Sequence, residues 1–152
     1  MRKIWLGAST ALVAVVALGI GGTTLANDEG AMKYRQSVMK SIGGHMGAMT
    51  GIVKGEVDFK EDLKGHAHAL AELSKIAGKV FPKGSNVGQS AALPAIWEKP
   101  DDFKKVVAGF QAEATKLAEV ANKGDMQAFA AQLSSLGQNG CKPCHDSFRA
   151  KK

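Results

Sequence analysis

Apolar residues along the chain recur at steps of three and four, the rhythm of helices that bury one face. No strand-like alternation of any length competes with it. The first such segment runs from about Asp28 to Lys54, with Arg35, Met39, Ile42, Met46, Met49 and Val53 on its stripe. Gly43-Gly44 interrupts it, at roughly 1 kcal/mol per glycine relative to alanine, and makes room for a second backbone or a flat group. After the turn Gly55-Glu56-Val57-Asp58, a second segment from about Lys60 to Val80 carries Leu63, His66 or Ala67, Leu70, Leu73, Ala77 and Val80. A loop rich in Gly, Ser and Pro follows from Phe81 to Pro100, long for a compact domain, with Ala95-Ile96-Trp97 as a short turn that pins it to the core. The third helix starts after Pro100, capped by Asp101 or Asp102. Its apolar face is Phe103, Val107, Phe110, Ala114, Leu117 and Ala121. The fourth is capped by Asp125, and its stripe of Met126, Phe129, Leu133 and Leu136 continues into Cys141 to His145. Four helices of similar length predict an all-α, antiparallel four-helix bundle.

Residues 1–26 read differently. Met1-Arg2-Lys3 is basic, Ile4 to Ile20 is largely apolar, and the stretch closes on small residues at Thr24-Leu25-Ala26. This is the pattern of a secretory signal cleaved after Ala26. The apolar run is short for the roughly 20 residues of a membrane span, so no stable membrane insertion is expected after cleavage. Asn27 to Lys152 then forms one domain, exported from the cytoplasm. The formal charge of +6 drops by two, to +4, without Arg2 and Lys3. Lysines alternate with acids throughout, which is a solvated mixed surface and not a nucleic-acid patch.

The two cysteines of the chain stand together in Cys141-Lys142-Pro143-Cys144-His145. Cys-x-x-Cys-His is the attachment signature of c-type haem. The thiols add to the haem vinyl groups, and the histidine supplies a neutral nitrogen to the iron. A thiol–disulfide redox pair would sit near a βαβ pattern, which is missing. A structural zinc site would need four ligands, and no second cysteine pair exists. One covalent haem c is therefore the expected cofactor, with iron ligated by His145. No nucleophile–base pair is visible, and the chain is not expected to be an enzyme.

A haem motif on the last helix is unusual. Together with Lys33-Tyr34-Arg35-Gln36-Ser37-Val38-Met39-Lys40 in the first helix, Val80-Phe81-Pro82-Lys83-Gly84-Ser85 and Leu93-Pro94-Ala95-Ile96-Trp97 in the middle, and Asp146-Ser147-Phe148-Arg149 after the motif, the chain resembles the class II cytochromes c. These comprise the cytochrome c′ proteins and their low-spin relatives. The resemblance implies a periplasmic bundle with one haem between its helices, held by Cys141 and Cys144 with His145 proximal. It places Arg35 and Gln36 by a haem propionate and Met39 on the distal face. It also implies redox partner proteins and allows a homodimer through the outer faces of the first two helices. Pro143 departs from the family pattern. Inside a helix it would remove a bond to the carbonyl of Asn139, and a local kink is expected before His145.

Within the family a helix-one methionine either ligates the iron, giving a closed electron carrier, or only packs on an open, gas-binding face. Met39 shares a helix face with Arg35, and the run Met39-Lys40-Ser41-Ile42-Gly43-Gly44 resembles the low-spin subgroup. The expectation is His/Met ligation and single-electron transfer. The rival is a five-coordinate protein that binds NO or CO. Met32, Met46, Met49 and Met126 read as core filler, and His45, His66 and His68 as surface or satisfied histidines. Arg149, four residues after His145, reads equally as a cation beside the proximal imidazole and as a helix-terminal cation.

Overall fold

The computed structural model describes the backbone of residues 21–151, and side chains from Asn27 onward. The expected leader therefore lies outside the described residues, apart from the backbone of 21–26. None of the described helices is long and apolar enough to cross a membrane.

Helix α1 spans Gly21–Val53. Its buried line is Met32, Arg35, Val38, Ile42, Met49 and Ile52. Met39, Met46 and Val53 are only partly buried, so the stripe read from sequence is turned by about one residue. The reason is that Met39 and Met46 border a cavity instead of the sealed core. The helix ends at Gly55, whose φ of 73° needs no Cβ. There Gly55 N–H donates to Ile52 O and Glu56 N–H to Gly51 O, the paired bonds of a Schellman cap.

A 3₁₀ turn at Lys60–Asp62 leads into α2, Leu63–Ala77. It ends three residues before the expected boundary, although Val80 is still buried. The following loop contains one short helix, α3, Ala95–Glu98. Trp97 Nε1 donates to Phe81 O at 3.1 Å, which is the expected pin.

Helix α4, Pro100–Ala121, begins at the proline itself. Pro100 has no N–H to leave unsatisfied at a first helical position. Asp101 and Asp102 lie in the first turn and do not cap it; the capping position is Lys99, two and three residues before them. The Asp125 cap is as read from sequence: its carboxylate accepts from the N–H groups of Gln127 and Ala128 at 2.9 and 3.0 Å.

The fourth helix is in three parts: α5, Met126–Ser135; a π turn, Leu136–Cys141; and α6, Lys142–Phe148. Pro143 is the second residue of α6, which follows the π turn without a break: Cys141 and Lys142 are helical, and Lys142 N–H donates to Gly137 O. The irregularity expected before His145 is present, but as a wide turn upstream of the proline. Gly140 permits it: a Cβ there would stand 2.8 Å from Leu136 Cδ1 and 3.4 Å from the α-carbon of Phe110 on α4.

α1, α2, α4 and the composite fourth helix make the bundle. Met49, Ile52, Leu63, Leu70, Leu117, Phe129 and Leu133 belong to its main core. A second cluster, Ile96, Phe103 and Phe148, lies under the loop. There Phe103 meets Phe81 and Phe148 edge to face, with centroids 5.0 and 5.3 Å apart, a favoured aromatic geometry.

Candidate haem site

A cavity of about 370 Å³ opens between α1, α4 and the π turn. α1 sends Met39, Ile42, Gly43 and Met46 to its wall, and α4 sends Phe103, Val106, Val107 and Phe110. Cys141, Cys144 and His145 face it from the other side, with Arg149 at the edge. The three residues of the attachment motif thus meet on one apolar space. The wall suits a flat group: Gly43 and Gly137 line it, and a Cβ on either would touch nothing within 4 Å. The residues present fit haem c.

Burial sets the protonation of the motif. It raises the Cys141 thiol, and it raises Cys144 to about 11 with help from the neighbouring Cys141. No disulfide joins the two cysteines. His145 moves the other way: burial lowers its pKa, and the Arg149 charge adds to this against the opposing pull of Asp146. A neutral imidazole is the form that ligates a metal.

Arg149 is one residue past α6 in extended conformation, so it does not continue the helix face of His145. It pairs with Ala92 in an isolated antiparallel bridge. Leu93 N–H donates to Phe148 O, and Ala150 N–H to Ala91 O. The bridge fastens the long loop to the end of the haem helix.

A side opening of about 170 Å³ adjoins the cavity, lined by Arg35, Gln36, Met39 and Phe81 with Cys144, His145 and Arg149. Arg35 and Gln36 are therefore near the motif, as expected. Their bonds, however, go to the loop. Arg35 Nη1 donates to Ser85 Oγ at 2.7 Å and Val80 O at 3.3 Å. Its Nη2 donates to Ser85 O at 2.8 Å and Ser90 Oγ at 2.9 Å. The guanidinium also stacks 5.0 Å from the centroid of Phe81. Burial lowers its pKa, and these four bonds compensate the desolvated charge. Gln36 Nε2 donates to Gln89 O.

Met39 lines both spaces, and both include His145. Met46 also lines the cavity, which a reading as core filler misses; it lies seven residues after Met39, two turns along the same face. Met32 and Met49 are buried away from it. His45, His66 and His68 do not line it: His45 meets His66, and His68 meets Asn122 Oδ1.

A four-helix bundle with this motif at the end of its last helix is a class II c-type haem protein. The family described as Cytochrome C′ matches residues 30–149, and the chain belongs to it, with covalent haem c as cofactor. A cytochrome c′ from Alcaligenes xylosoxydans xylosoxydans is 35% identical over 84% of this chain and 98% of its own length. A cytochrome c-556 from Agrobacterium tumefaciens (strain II Chrys) is 38% identical over 81% of this chain and 99% of its own. Among solved structures, a ferrous variant of cytochrome c′ from Alcaligenes xylosoxidans with bound NO superposes with a TM-score of 0.75. It is 34% identical and covers 82% of this chain and 97% of that one.

Proposed function

We propose that the chain is a periplasmic haem-c protein that takes an uncharged diatomic gas, NO or CO, on the side of the haem facing α1. The observation that carries this is the chemistry of the wall. Every side chain that α1, α2 and α4 contribute to the cavity is hydrocarbon or thioether. NO and CO need no hydrogen-bond donor, whereas charged ligands would be left unpaired against such a wall. The similarity to a cytochrome c′ with bound NO supports the same reading.

When bound, haem c supplies an iron able to hold a small gas or exchange one electron. Cys141 and Cys144 tether it by thioether bonds, and His145, held neutral by burial, provides the proximal nitrogen. Arg35 and Gln36 hold the loop at the side opening, the edge at which a propionate would rest. Cleavage of residues 1–26 precedes this assembly.

One observation favours a second reading. Among the described residues, Met39 is the one thioether that lines both spaces together with His145. A bond from its sulfur to iron would close the site, raise the potential and make the protein a single-electron carrier for redox partner proteins. Optical spectra of the haem-loaded protein, with and without CO, decide between them. A high-spin spectrum that shifts under CO, and stays high-spin in Met39→Leu, is the expected result. A low-spin spectrum with a weak red sulfur-to-iron band and no CO shift would assign the carrier role instead.

A further inference from the structure

His45 on α1 and His66 on α2 point at one another, away from the haem cavity. Their Nδ1 atoms are 2.8 Å apart. The rings meet edge to face, with centroids 5.1 Å apart and planes at 62°. Both side chains are half-buried. A single N–H···N bond joins them, so the rings are opposite tautomers and one Nδ1 is bare. Burial, and the nearness of His66, keep His45 below the usual imidazole range.

Two neutral imidazoles that face each other at this distance can turn to form a bidentate chelate. Ring nitrogens lie about 2.0 Å from a bound transition metal. At right angles on one ion they stand about 2.8–2.9 Å apart, and in a tetrahedron about 3.3 Å. The observed 2.8 Å is the length of the N–H···N bond, with the two nitrogens facing each other, so a small turn of both rings brings them onto one ion; the choice of ion then follows the usual order of affinities, in which Cu²⁺ exceeds both Ni²⁺ and Zn²⁺. We propose that His45 and His66 form a two-imidazole site for a divalent late transition metal, Cu²⁺ above all, that clamps α1 to α2. On binding, the donor ring's proton passes from Nδ1 to Nε2, both nitrogens turn to the metal, and both rings stay neutral. Among the described residues no group of three or more His, Cys, Asp or Glu gathers to hold a metal. Water completes the coordination. The site is separate from the haem cavity, whose lining includes neither histidine.

The test is calorimetric titration of the untagged, haem-loaded protein with CuCl₂, NiCl₂ and ZnCl₂, joined to electron paramagnetic resonance of the Cu²⁺ form. One equivalent should bind, tightest for Cu²⁺, with a signal split by two nitrogens and an unchanged haem spectrum. Losing one of two linked ligands removes the intramolecular step, so His45→Ala and His66→Ala should each weaken binding roughly 100-fold. His66→Gln, which keeps a polar partner for His45, should do the same, and His68→Ala should change nothing. Absence of stoichiometric binding, binding that survives in His66→Gln, or a preference for Zn²⁺ would each overturn the proposal.

Discussion

The two halves of α1 occupy different surroundings. Its last turns, Met49 to Ile52, belong to a core in which Leu70 and Leu117 are also fully buried. From Met39 to Met46 the same helix carries Gly43 and Gly44 and borders an apolar cavity. At the closed end the polypeptide supplies its own packing. At the open end helix propensity and side-chain contact are given up, and the cofactor completes the interior. Stability and function are thereby assigned to different ends of one helix.

The largest effects should separate the ends. Leu117→Ala, at the closed end, should cost about 2–5 kcal/mol and leave the visible spectrum unchanged. Met39→Ala, at the open end, should cost clearly less, since Met39 is only partly buried by the polypeptide core, while altering the haem spectrum. Denaturant unfolding followed by circular dichroism, beside visible spectra, measures both; equal costs would break the contrast. Arg35→Ala should fall between them, at about 2–3 kcal/mol, by leaving Ser85 and the Val80 carbonyl without their partner. Hydrogen exchange should then quicken in residues 82–92 and not in α4. The smallest effect belongs to the closed end: Asp125→Ala should cost about 1 kcal/mol through loss of the α5 cap, with no spectral change.

The bundle was legible in sequence because burial repeats every turn, and the haem motif because its chemistry is local. The Asp125 cap is equally local. What escaped depended on contacts distant in sequence. Arg35 and Gln36 were placed near the motif, but their bonds to Ser85, Ser90 and Gln89 span more than 45 residues and leave no periodic trace. The pairing of His45 with His66 requires knowing how α1 and α2 are rotated. The stripe of α1 was misread by one position because Met39 and Met46, apolar like any core residue, face the cofactor's space. The π turn was invisible since Leu136, Gly140 and Pro143 fit a continuous helix until the close approach of Gly140 to Phe110 is seen.

That wide turn has a consequence for chain length. A π turn stacks a residue on the fifth beyond it, where an α turn uses the fourth. Leu136 and Cys141 are related in this way. Each residue of an α-helix advances about 100° around the axis, and the wide turn absorbs one extra residue: removing one residue between them would restore regular winding with Cys141 as the fourth residue beyond Leu136, and Cys141, Cys144 and His145 would keep their face. Substitutions of Gln138 and Asn139, both exposed, change what the surface displays. A second deletion, or an insertion, meets no wide turn to absorb it and would turn the whole attachment motif by about 100° for each residue.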